Sequence, residues 1–178
     1  HTLYTFQLEK SLSRFQPVSL ENAFAYSTNP VFGRIGIYLL GNKALEEYST
    51  KFGFNSVPPF EFHTDTSNIT VVDSPFALAE CACGFNQSTT LSPLHGALIA
   101  SAICEGGVMP MPSVIDTIAA LRSQSVVYTS APGRWRRPIR KSTADEVKYL
   151  MQKVARYGTA RKSFRLLRRS YRFNEIEY

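Results

Sequence analysis

Ser27 and Asn29 stand two residues apart in Ser27-Thr28-Asn29, directly ahead of Pro30. A serine hydroxyl both donates and accepts hydrogen bonds, and a primary amide offers donors beside an acceptor. The same residues are common in turns, and Asn29 ahead of Pro30 fits a helix N-cap with proline in the first turn. The two uses are compatible, because a capping Asn can still face a cleft. His95 lies in an apolar run with neither a metal set nor a triad nearby, so a core or interface role is expected. Glu61, His63 and Asp65 share a loop, and their spacing is only a weak metal signal. No metal and no cofactor is expected. Cys81, Cys83 and Cys104 lack a C-x-x-C spacing and are odd in number, so they are read as buried free thiols. Trp135 among Arg134, Arg136 and Arg137 is read as a loop anchor, with stacking on a ligand or base as the alternative.

The elements that must position these residues are mostly helical. Ser19 caps a short helix that ends near residues 27–30, and a second helix starts at Pro30 and closes at Gly41-Asn42. A third is expected over 44–52, with Leu45, Tyr48 and Phe52 on one face and Gly53 as its stop. Residues 55–78, rich in Pro, Ser, Thr, Asn and Asp, read as a long loop with a short strand at 69–72. Ser92-Pro93 starts a helix that is apolar nearly all round, hence buried on most sides, and Gly106-Gly107 ends it. Residues 108–140 read as extended, with a strand at 126–128. Thr143 to Glu146 forms a capping box ahead of Val147, Leu150, Met151 and Val154, an amphipathic helix stopped at Gly158. The remainder is polar and basic, with an extended end near Ile176.

The 178 residues suit one domain with an ordinary core: 44% are hydrophobic and 19% charged. No apolar run is long enough to span a membrane. No signal peptide is visible, and an anchor or export signal would lie upstream of His1. The net charge of +6 is uneven. Residues 1–133 carry 6 Lys/Arg against 10 Asp/Glu, and residues 134–178 carry 14 against 4. Such a basic stretch suits a solvated helix face, or an anionic partner such as nucleic acid or a wall polymer.

Three stretches resemble the class B penicillin-binding protein transpeptidases. Ser27-Thr28-Asn29 with Pro30-Val31-Phe32-Gly33-Arg34-Ile35-Gly36 is similar to the family's S-x-N motif and the N-x-x-F-x-x-x-G helix after it. Ala82-Cys83-Gly84-Phe85-Asn86, then Thr90 to Ala100 and Glu105-Gly106-Gly107, resemble its glycine turn and T-P-L-x-x-A helix. Leu150 to Val154 with Gly158-Thr159-Ala160 resemble the helix and G-T-x stretch that precede its K-T-G strand. Each match is weak alone, but their order and spacing in one chain are specific.

The family's S-x-x-K is not found ahead of Ser27: Ser11 is followed three positions on by Arg14, and Ser13 by Gln16. K-T-G does not occur. The resemblance therefore implies one partial domain over 1–178: mainly α, the helical part of an α/β transpeptidase domain with a few short strands, inactive as it stands. It implies a parent D,D-transpeptidase on the outer side of the cell membrane, cross-linking peptidoglycan stem peptides through an acyl-serine. Ser27 would relay a proton, and Asn29 would hold the substrate amide. β-Lactams would acylate a serine outside this chain. Cell-wall synthesis proteins are implied partners, self-association through exposed apolar surface is expected, and nucleic acid is not. A non-catalytic wall scaffold of the same fold, or a basic module binding nucleic acid or another anionic polymer, are the alternatives.

Overall fold

The computed structural model describes residues 18–131 and 133–171, without the side chains of 168–171. The extended end expected near Ile176 lies outside the described residues. Helices hold about half of the described residues, and the strands are short. The chain forms two compact units. Unit 1 holds residues up to Asn42, then Val71–Asn86 and residues from Lys148 on; unit 2 holds Lys43–Thr70 and Gln87–Val147.

Unit 1 begins with α1 (Leu20–Ala25), capped by the Ser19 hydroxyl, which accepts from the Asn22 N–H at 3.2 Å. The second helix, α2 (Asn29–Ile35), continues into a π-helical turn, Gly36–Leu40, which breaks at Gly41 with φ +67°. α3 (Gly41–Phe52), which belongs to unit 2 from Lys43 on, starts three residues earlier than expected. α4 (Pro75–Ala82) falls partly in the stretch read as a loop. It is set by Ser74, whose hydroxyl caps Ala77 N–H at 3.3 Å, and by Pro75 in its first turn. The strand expected at 69–72 is not formed. α2 and the π turn pack on α4 through Gly36, where an added Cβ would stand 3.1 Å from the Leu78 carbonyl oxygen and collide with the Ala82 side chain.

Unit 2 is built on α5 (Pro93–Cys104), capped by Ser92 as expected and ended by Gly106 and Gly107, both at positive φ. Its core is Leu98 and Ala102 with Met109, flanked by Phe52, Leu94, Ile99 and Trp135. Met109 lies on β1 (Met109–Pro110), antiparallel to β4 (Arg134–Arg136) with Met109 opposite Arg136. A separate hairpin pairs β2 (Thr117–Ala119) with β3 (Val126–Thr129), where the strand at 126–128 was expected. α6 (Lys141–Arg156) starts two residues before the expected capping box, because the Arg140 carbonyl already accepts the N–H of Ala144, which is fully buried. α6 from Lys148 on belongs to unit 1, as does α7 (Arg161–Tyr171), which occupies the stretch read as a polar and basic tail. Among the described residues no helix is long and apolar enough to cross a membrane.

Candidate active site

The turn bearing Ser27 is fixed by the end of α1. The Ser27 N–H donates to the Phe24 carbonyl at 3.2 Å, and the Thr28 N–H reaches back to the Ala23 carbonyl at 2.9 Å. These two bonds are the Schellman closure, in which the residue after the helix cap adopts the left-handed conformation; glycine usually stands there. Ser27 occupies it with φ +51°. A Cβ in that region costs about 1–2 kcal/mol, so the local geometry works against a side chain at this position. Strain of this kind gathers at functional sites. Ser27 is exposed, and Asn29, two residues on, is half-buried.

Thr28, rather than Asn29, takes the N-cap position of α2, without a side-chain cap bond, and Asn29 is the first helical residue. This corrects the capping role expected of Asn29. The left-handed turn at Ser27 brings Thr28 to the helix entry, and the Thr28 carbonyl accepts the Val31 N–H at 3.0 Å. Among the described residues the Ser27 hydroxyl and the Asn29 amide have no hydrogen-bond partner. Across the turn Phe24 meets Phe32 edge-on at 6.1 Å, tying α1 to α2.

Two further contacts hold α1. At its C-terminal end the Ala25 carbonyl accepts the Thr159 N–H at 3.0 Å, and Gly158 passes so close that a Cβ there would collide with that carbonyl. At its first turn Glu21 accepts from Tyr149 at 2.9 Å and from Tyr157 at 2.6 Å, with the Lys153 ammonium 3.9 Å away. The Tyr157 bond, then Tyr149 and the Lys153 charge, hold the Glu21 carboxyl below its usual 4.5. Glu21 in turn pushes the Tyr157 phenol up to about 12 from its usual 10.0.

The two shifts have opposite consequences. Stability contributed by ionised Glu21 is present above the ordinary carboxylate value and lost as pH falls through the lowered folded one. Stability contributed by neutral Tyr157 is present below pH 10 and lost as pH rises towards about 12. Thermal midpoints measured against pH should show both losses, and Tyr157→Phe should reduce each. An alkaline limb the same in both proteins would contradict the coupling.

The other chemistry-bearing residues serve packing. His95 is fully buried, its Nε2 donating to the Phe52 carbonyl at 2.8 Å, with Phe54 and Trp135 edge-on to its ring at 4.9 and 6.1 Å. A core role is what its sequence context implied. Trp135 anchors β4 against Gly53, whose Cβ would come 2.6 Å from the Trp135 ring. Arg136 stacks on that ring at 4.8 Å and donates to the Thr50 carbonyl. Glu61 accepts from the Ser113 hydroxyl and the Val114 N–H, and among the described residues no group of three His, Cys, Asp or Glu gathers to hold a metal. The cysteines are free but not buried: Cys81 and Cys83 are half-buried and Cys104 is exposed, because it lies at the end of α5 rather than on its inner face. The clamp residues Glu21, Tyr149 and Tyr157 were missed by the sequence reading. The spacing of Tyr149 and Lys153 along one side of α6, with Tyr157 four residues further on just past its end, was the only local signal for them.

With its helical architecture and S-x-N turn, the chain belongs to the penicillin binding protein transpeptidase domain family, whose family model matches residues 6–170. It is the mainly helical part of that α/β fold. It is similar to peptidoglycan D,D-transpeptidase PbpA of Mycobacterium tuberculosis, with 31% identity over 102 residues, 57% of this chain and 20% of that protein. Stage V sporulation protein D of Bacillus subtilis is 22% identical over 139 residues, 78% of this chain and 21% of that protein. Among solved structures, penicillin-binding protein A of M. tuberculosis, as its penicillin G acyl-enzyme complex, matches with a TM-score of 0.72 at 29% identity, over 82% of this chain and 34% of that one. The D,D-transpeptidase domain of a peptidoglycan glycosyltransferase from Eggerthella lenta shares the fold, with a TM-score of 0.69 at 24% identity, over 79% and 37%. The chain spans about a fifth of the length of the curated relatives it matches.

Proposed function

We propose that this chain supplies the S-x-N wall of a D,D-transpeptidase that cross-links peptidoglycan stem peptides on the outer side of the cell membrane. The observation that carries this reading is the turn at Ser27: an exposed serine held in a left-handed conformation, with the Asn29 amide, which has no hydrogen-bond partner among the described residues, two residues on. In the reaction, the serine of the family's S-x-x-K motif attacks the donor peptide's carbonyl. A serine needs a neighbouring base to do so. The Ser27 hydroxyl accepts a proton on one lone pair while donating its own, and so passes it to the leaving nitrogen. The C–N bond breaks, an acyl-serine ester forms, and the amine of a second stem peptide later takes the acyl group. Asn29 holds the donor's backbone amide, its carbonyl accepting and its NH2 donating. β-Lactams are acylating agents for the same serine.

The complete product of the gene encoding this chain should release the terminal D-amino acid from a stem-peptide donor, with turnover lowered at least tenfold by Asn29→Ala. Donor turnover unaffected by Asn29→Ala would remove Asn29 from the site, and no turnover by the unmodified protein would favour the scaffold reading.

A further inference from the structure

We propose that Tyr157 is a positioning residue for Ser27, locking α1 against rotation about its own axis. This rests on the role proposed for Ser27. Tyr157 directly follows α6, and it touches α1 near both ends. Its hydroxyl donates to Glu21 at 2.6 Å in the first turn, and its ring lies 6.1 Å from that of Tyr26, which precedes Ser27. Of the α1 side chains, Phe24 meets Phe32 of α2 at 6.1 Å through a single edge-on contact, which leaves rotation the softer motion of this helix. It has only six residues, and its fully buried side chains are Ala23 and Ala25, which are too small to key into a neighbour. The Thr159 bond and Gly158 pin a single carbonyl at Ala25, a pivot that restrains position more than azimuth. A turn of about 20° would carry a side-chain tip, roughly 5 Å from the axis, by about 1.7 Å. A misplacement of about 1 Å can cost on the order of 100-fold in rate. Two contacts from one tyrosine, five positions apart on α1, remove that freedom, and Tyr149 and Lys153 hold Glu21 where Tyr157 needs it.

The test is a double-mutant cycle on the complete gene product, reading the second-order rate of acylation by a fluorescent penicillin. Tyr157→Phe keeps the ring against Tyr26 and removes the bond to Glu21; it should slow acylation about tenfold. Ser27→Ala should slow it more, and the double variant should be no slower than Ser27→Ala alone, because Tyr157 acts only through Ser27. Glu21→Gln, which keeps an acceptor for Tyr157, should retain more activity than Glu21→Ala, and this pair answers the question if Tyr157→Phe does not fold. A Tyr157→Phe rate equal to the unmodified protein's, or a Tyr157 effect repeated in full without the Ser27 hydroxyl, would overturn the inference. Equal acylation of the unmodified protein and Ser27→Ala would overturn the role of Ser27 itself.

Discussion

Ser27→Gly is expected to stabilise the fold by about 0.5–1 kcal/mol while slowing acylation roughly 100-fold. The two effects come from different atoms. The backbone at Ser27 has φ +51° inside a Schellman closure, a position that glycine fills without steric cost. Removing the Cβ relieves about 1–2 kcal/mol, partly offset by the greater freedom of glycine in the unfolded chain. The hydroxyl goes with the Cβ, and general acid–base groups contribute about 100-fold or more. Chemical denaturation and acylation rates on the same protein separate the two. A joint fall in stability and rate would mean that Ser27 is a structural residue and nothing more.

Gly158→Ala should cost about 2–4 kcal/mol. The new Cβ would collide with the Ala25 carbonyl oxygen and stand 2.8 Å from both the Ala25 carbonyl carbon and Val154 Cα. These are backbone atoms of two helices, and no flexible side chain is available to yield. Relief requires the chain after α6 to withdraw, which breaks the Thr159 bond to Ala25. Because Ala25 stands two residues before Ser27, acylation should fall along with stability. Urea denaturation checks the first effect; a midpoint within error of the unmodified protein would show that the loop after α6 does not clamp α1.

The positions where local chemistry decides the backbone were legible in the sequence. Ser19 and Ser92 cap helices, and Gly53 and Gly106-Gly107 end them, because caps and left-handed residues act within a few positions. Ser74-Pro75 carries the same signature as Ser92-Pro93, but a composition rich in loop formers hid it. The capping box at Thr143 lost to burial of Ala144, a tertiary effect that no local motif announces. α7 was read only as a polar and basic tail because its charge masked the three-residue spacing of Phe164 and Leu167. At the site, the type and spacing of Ser27 and Asn29 were readable. The closure of their turn was not, because a serine stands where glycine would mark it. The ties to Glu21 and Ala25 join residues more than a hundred positions apart and have no local trace.

The most direct test of the central claim is covalent labelling of the complete gene product with a fluorescent penicillin, with and without the Ser27 hydroxyl. The unmodified protein should form a stable adduct on the serine of an S-x-x-K motif, and Ser27→Ala, folded to the same thermal midpoint, should form it roughly 100-fold more slowly. An unmodified protein that takes no label, or equal labelling rates in the two proteins, would contradict the account.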